Sequence, residues 1–267
     1  MTTPAGAATP RVPFTLGRGV AVFALYAVVS FSAMLVSGVD YDRLSESTSN
    51  VLGFVVIPIG LGIAATLALT WRWGWWRALF REAEPLTQPR WARVLPALWI
   101  LTILITLVAA PWDEWSTGLV LLILLGTLMV GFGEEIVFRG YLLVGARSRY
   151  SEVGAWFFTS ALFGLFHGLN IFTGQAVGTT LQQVGTAFLM GSGLYLIRRI
   201  SGLLVVGMVI HGLWDFSTFI GAGRGDDAGA GVPSAAYAAP FVLAAMIVTI
   251  VLLVKLFRRR SDAPAPA

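Results

Sequence analysis

The sequence predicts an all-α, polytopic membrane protein of about eight transmembrane helices with both termini cytoplasmic. Three observations carry that prediction. Charged residues make up only 12% of the 267-residue chain, where soluble domains carry about 25%. The mean hydropathy is +0.79. The apolar residues also fall into separate runs near the ~20 residues that a helix needs to cross the hydrocarbon core.

Eight runs can be delimited: 19–38, 51–70, 94–111, 117–145, 153–171, 177–197, 203–220 and 236–257. Within lipid the backbone must satisfy its own hydrogen bonds, so each reads as a helix. Ahead of the first lies a small, polar, proline-bearing start, Met1 to Pro13. It has no charged lead into a short apolar core, so no signal peptide is read. The second run is followed by Trp71, Trp73, Trp75 and Trp76, an aromatic cluster typical of a membrane–water interface. The fourth is longer and carries charge in its second half. The eighth leads into a basic end and the tail Ser261 to Ala267, whose composition predicts disorder. The chain thus divides into a flexible N-terminal tail (1–15), one transmembrane domain (16–258) and a flexible C-terminal tail (259–267).

The loops set the orientation. One side collects Arg11, Arg18, Arg72, Arg77, Arg81, Arg90, Arg93, Arg147, Arg149, Arg198, Arg199, Lys255, Arg258, Arg259 and Arg260. The other has Arg43 and Arg224, and Arg139 lies inside the fourth run. The positive-inside rule makes the basic side cytoplasmic. The net charge of +4 therefore reads as membrane topology, and no nucleic-acid partner is expected. Asp226 and Asp227, in a Gly-rich loop on the opposite side, read as solvated surface. Cysteine is absent, which excludes disulfides and thiolate metal sites. Lys255 is the sole lysine, a bias that fits a GC-rich genome.

Five acidic or histidine side chains fall within the runs. Glu134 and Glu135 are in the fourth, His167 in the fifth, and His211 and Asp215 in the seventh. Ionisable groups are expensive in a membrane and are functional candidates by default. A rise of 1.5 Å per residue puts Glu134 roughly 18 Å, His167 about 21 Å, and His211 and Asp215 about 12 and 18 Å from the cytoplasmic ends of their helices. Three helices thus carry their costly residues at similar depth. Glu135 and Arg139 are spaced i,i+4 and can pair, leaving Glu134, about 100° round the helix, for another task. His211 and Asp215 share the i,i+4 spacing, as do Phe163 and His167, and Phe163 reads as packing around that histidine.

The chemistry these residues suggest is peptide-bond hydrolysis. Glu134, tuned by burial and neighbouring charge, suits a general base that deprotonates a water held with His167. His211 and Asp215 would act on the substrate carbonyl, where stabilising a developing oxyanion can dominate catalysis. Asp215 can donate only when protonated; ionised, it would orient His211 instead. If a metal such as zinc takes part, its ligands would come from His167, His211, Glu134 and Asp215. A HExxH arrangement is absent, so a metal-free mechanism without cofactors is expected and zinc is left open.

EExxxR (Glu134, Glu135, Arg139), FxxxH (Phe163, His167) and HxxxD (His211, Asp215) together resemble the three motifs of the CAAX prenyl protease 2 family. This is the Rce1-like, bacteriocin-processing and abortive-infection (CPBP) group. The resemblance covers roughly 117–220. It implies an eight-helix intramembrane endopeptidase whose site opens toward the cytoplasm. It also implies that Glu134 is the catalytic glutamate, His167 the water-holding histidine and His211 with Asp215 the oxyanion pair. Glu135 and Arg139 would be the supporting pair. The eukaryotic prenyl proteases typically have asparagine where this chain has Asp215, which puts prenylated substrates in question. The implied partner is a membrane-anchored or lipidated polypeptide, in a bacterial plasma membrane. Two other classes use similar residues. Buried Glu and His also serve proton-coupled transporters, although no inverted repeat is seen here. A non-catalytic scaffold or immunity protein could keep the same fold. Substrate identity and oligomeric state are not legible.

Overall fold

The computed structural model describes residues 10–86, 89–224 and 234–261. Asp226 and Asp227, residues 1–9 of the N-terminal tail and residues 262–267 of the C-terminal tail lie outside the described residues. Among the described residues eight long helices make up the fold: α1 Leu16–Ser37, α2 Thr48–Trp73, α3 Arg90–Val108, α4 Thr117–Ala146, α5 Glu152–Thr173, α6 Val177–Ser201, α7 Leu204–Ala222 and α8 Ser234–Ser261. A short helix, Trp76–Phe80, follows α2. No strand occurs among the described residues.

All but α6 are long and apolar enough to cross a membrane. At 25 residues α6 has the length, about 37 Å at 1.5 Å per residue. Its first half carries Thr179, Thr180, Gln182, Gln183 and Thr186, which lowers its apolarity. Its second half, from Met190 to Arg199, is buried. Gly202, with φ of 75°, ends α6 and lets the chain reverse directly into α7. Exposed Val28, Val36, Val108, Leu121, Leu165 and Leu181 show helices that are apolar on their outward faces as well as inside.

The central element is α4, which packs against α1, α2, α5 and α7, most extensively against α7. That closeness has a local cause. A Cβ on Gly131 would collide with the Met208 carbonyl and lie 2.6 Å from the Gly212 nitrogen. A Cβ on Gly212 would in turn meet the Leu128 Cα and the Thr127 carbonyl at 2.8 Å. The two helices therefore touch backbone to backbone, one turn from Glu134 and at the residue after His211.

Beyond Glu135, α4 changes to a π-helix over Ile136–Leu142, all of it buried. Such wider turns are rare and recur at functional sites. Arg198 of α6 donates to the Arg139 carbonyl within this segment and also to the carbonyls of Ala78 and Arg81. It belongs to a largely buried ion network on the side of the chain termini. Glu82 bonds Arg147 at 3.0 Å and Arg198 at 3.1 Å, and Glu152 bonds Arg147 at 2.7 Å and Arg199 at 2.6 Å. The loop after α2 is thereby fastened to the α6–α7 turn, with Glu82 N donating to Gly202 O. Arginines read from sequence only as topology signals are also structural.

Two local details differ from the sequence reading. Trp75 is fully buried, donating to the Val12 carbonyl and packing edge-on to Phe14, so it is core and not part of an interfacial belt. Trp71, fully on the outer face, remains exposed. Arg11 and Val12, assigned to the terminal tail, hydrogen-bond to Trp73 and Trp75.

Candidate active site

His211 is the hub. From the first half of α7 its Nε2 faces Glu134 Oε2 at 3.9 Å and Asp215 Oδ2 at 3.6 Å. Its Nδ1 lies 3.3 Å from Glu135 Oε1, too poorly aligned for a hydrogen bond. Three carboxylates from two helices thus surround one imidazole. The Gly131–Gly212 contact allows this, because any side chain there would hold α4 and α7 apart.

Glu135 is the anchored member of the acidic pair. It is fully buried, and its Oε1 accepts from Arg139 Nη1 at 2.7 Å. The Arg139 guanidinium lies over the Phe163 ring, 4.0 Å from the centroid. Gly191 of α6 leaves the room for it, since a Cβ there would meet the guanidinium and the same ring. A cation against an aromatic face is stabilised by the ring quadrupole. Phe163 continues the assembly, edge-on to His167 at 4.9 Å and to His211 at 5.7 Å. Its role is packing, but packing that joins all three motifs.

His167 sits where α5 turns from α-helix to 3₁₀-helix. Its Nδ1 lies 2.9 Å from the Phe163 carbonyl. A carbonyl only accepts, so Nδ1 carries the proton, and in the neutral ring Nε2 keeps its lone pair. The Phe163 ring joins His167 to His211, and among the described residues no ion pair links His167 to Glu134. Glu134, Glu135, Arg139, Phe163, His167, His211 and Asp215 therefore form one cluster. His167 and Asp215 are its partly exposed members, and Glu134 and His211 are buried.

Buried polar groups are normally hydrogen-bonded. Here Glu134 Oε2, Glu135 Oε2, Arg139 Nε and Nη2, and His211 Nδ1 are all buried without a protein hydrogen-bond partner. Their concentration in one place suits a site that receives a polar ligand. Among the described residues no group of three His, Asp or Glu side chains is disposed to hold a metal.

The sequence reading overlooked several neighbours. Tyr26 of α1 is fully buried, and its hydroxyl, unpartnered, lies against Gly133. Asn170, one turn beyond His167, donates to Gln183 of α6, which donates to Tyr41. Polar Gln182–Gln183 in an apolar helix was a readable signal. Nothing in sequence marks Tyr26 or Tyr41.

Residues 116–217 match the family model described as type II CAAX prenyl endopeptidase Rce1-like. That segment contains all seven clustered residues. No curated protein and no solved structure matches the chain.

Proposed function

We propose that this chain, an Rce1-like protein of the type II CAAX prenyl endopeptidase kind over residues 116–217, is a glutamate-dependent endopeptidase that cleaves a membrane-associated polypeptide within the bilayer. One observation carries the reading. A buried carboxylate with an unpartnered oxygen, Glu134, stands 3.9 Å from the imidazole of His211 inside a helix crossing.

Glu134 takes a proton from a water that His167 Nε2 also accepts from. The hydroxide so formed attacks the scissile carbonyl carbon, and the carbonyl π electrons move onto oxygen. His211 Nε2–H, oriented by Asp215, donates to that oxyanion. Collapse re-forms the carbonyl and breaks the C–N bond, and the departing amine takes the proton held by Glu134. A peptide and one water become a carboxylic acid and an amine. Positioned acid–base catalysis of this kind contributes about 10²–10⁴-fold. Glu135, Arg139 and Phe163 keep Glu134 and the two histidines in register.

The proposed substrate is a lipidated or membrane-anchored protein or peptide precursor. No step is routed through a metal. A chelator should leave cleavage intact, and loss restored by zinc would instead make Glu134, His167, His211 and Asp215 candidate ligands. The proposed setting is a bacterial plasma membrane with the termini and the mouth of the site on its cytoplasmic face, a reading that the arginine-rich loops and the family resemblance support.

The test compares membrane peptides from cells carrying the unaltered protein and Glu134→Ala. One uncleaved precursor should accumulate in the variant. Cleavage that persists in both Glu134→Ala and His167→Ala would remove the mechanism.

A further inference from the structure

The mechanism leaves the oxyanion with a single side-chain donor on α7. An ionised Asp215 only accepts, so His211 alone can donate from that helix. Oxyanion sites are built from preorganised donors aimed at the developing charge, and the turn between α1 and α2 offers a candidate for a second one.

Tyr41 opens the short turn Tyr41–Arg43 between α1 and α2, and its ring stands edge-on to Phe54, centroids 6.1 Å apart. Its hydroxyl oxygen accepts from Gln183 Nε2 at 3.3 Å. Gln183 Oε1 in turn accepts from Asn170 Nδ2 at 3.0 Å. Donation runs one way, from Asn170 to Gln183 to Tyr41. The phenolic proton is left over, with no acceptor among the described residues. Such chains polarise one another and strengthen the terminal donor. Asn170 lies in the turn that begins at His167 and so ties the chain to that histidine, and the carboxylates of Asp215 and, more weakly, Glu134 act electrostatically on the hydroxyl.

We propose that the Tyr41 hydroxyl is a second oxyanion donor, held in place by Gln183 and Asn170. The phenol keeps its proton throughout and contributes a hydrogen bond to the oxygen that gains charge when hydroxide adds to the carbonyl. Burial pushes its pKa up to about 12, against the opposing Gln183 bond and with the carboxylates of Asp215 and Glu134 adding to the rise. It therefore stays protonated at any pH where the enzyme would work. This inference rests on the hydrolytic reading above.

The experiment uses the full chain in liposomes with the precursor that accumulates in Glu134→Ala cells. If no precursor accumulates, the hydrolytic reading fails and this inference with it. With that precursor in hand, Tyr41→Phe keeps the ring against Phe54 and removes the donor, together with the acceptor of Gln183 Nε2. Its kcat should fall about 10²–10³-fold, the usual cost of one oxyanion donor, with KM and the unfolding midpoint unchanged. Adding Asp215→Asn to Tyr41→Phe returns an N–H donor to the site and should recover part of that loss. A Tyr41→Phe variant with unaltered kcat, or with only KM changed, overturns the inference while leaving the role of Glu134 intact. Should Tyr41→Phe lower the unfolding midpoint, Gln183→Met decides instead, since it keeps the phenol but frees it. A fall in kcat there supports the inference, and unchanged kcat overturns it.

Discussion

Replacing Gly131 by alanine tests how the site is assembled without touching any polar group. The added methyl would lie 2.6 Å from the Gly212 nitrogen, and ordinary contact begins at 3.4 Å. The shortage of about 0.8 Å falls on backbone of α7, which has no side-chain torsion to turn aside, and overpacking of this kind costs about 1–3 kcal/mol. If the helices separate to relieve it, His211 moves away from Glu134, already 3.9 Å distant. A misplacement near 1 Å can cost about 10²-fold in rate. Gly118 is the control on the same helix: nothing lies within 4 Å of a Cβ placed there. Gly118→Ala should be neutral or stabilising by up to about 1 kcal/mol. The assay is cleavage of the accumulating precursor by purified protein in liposomes, with thermal unfolding measured in parallel. Gly131→Ala should lose about two orders of magnitude in kcat while Gly118→Ala keeps its rate. Equal rates in the two variants would refute the claim that the α4–α7 contact sets the catalytic geometry.

Arg139→Met strands Glu135, which is fully buried, and should lower stability by about 3–5 kcal/mol; converting Glu135 to Gln as well should restore much of that in denaturant unfolding. Because the Tyr41 phenol is pushed up to about 12 by burial, with Asp215 and Glu134 adding to the rise, it titrates above the assay range. The ratio of wild-type to Tyr41→Phe rates should therefore stay flat between about pH 6 and 9; a ratio that collapses within that window would contradict a neutral donor. The chain has no cysteine, so single-cysteine variants report topology cleanly. Arg43→Cys should react with an impermeant maleimide in intact cells and Arg90→Cys only after permeabilisation; the reverse pattern would invert the assigned orientation.

The helices were legible because lipid imposes a length and an apolar composition on each span, and the eight runs lie within the eight helices to a few residues at most ends. The exception in kind is α6. Its glutamines and threonines dilute the apolar signal, and Gln183 among them serves the Asn170–Gln183–Tyr41 chain. The acidic and histidine residues of the candidate cluster were legible for the complementary reason: each is costly in a membrane, so its presence needs a cause. What spacing could not reveal was which residue meets which. His211 faces three carboxylates only because α4 and α7 touch at Gly131 and Gly212, a contact between distant segments. Nor does sequence disclose the π-helix after Glu135, which turns Arg139 under Phe163 and leaves its carbonyl for Arg198. Neutral hydroxyls such as Tyr26 and Tyr41 carry no sequence signal, since tyrosine is ordinary at membrane boundaries and in cores alike.

The central claim is that Glu134 takes the proton from the attacking water. The most direct measurement is single-turnover cleavage by the reconstituted protein and by Glu134→Gln, which keeps size and hydrogen bonding but removes the base. The account predicts at least about a 10³-fold fall in the chemical step, with substrate binding and the unfolding midpoint unchanged. A Glu134→Gln protein that still cleaves within about tenfold of the original rate would contradict it, because no amide can take that proton.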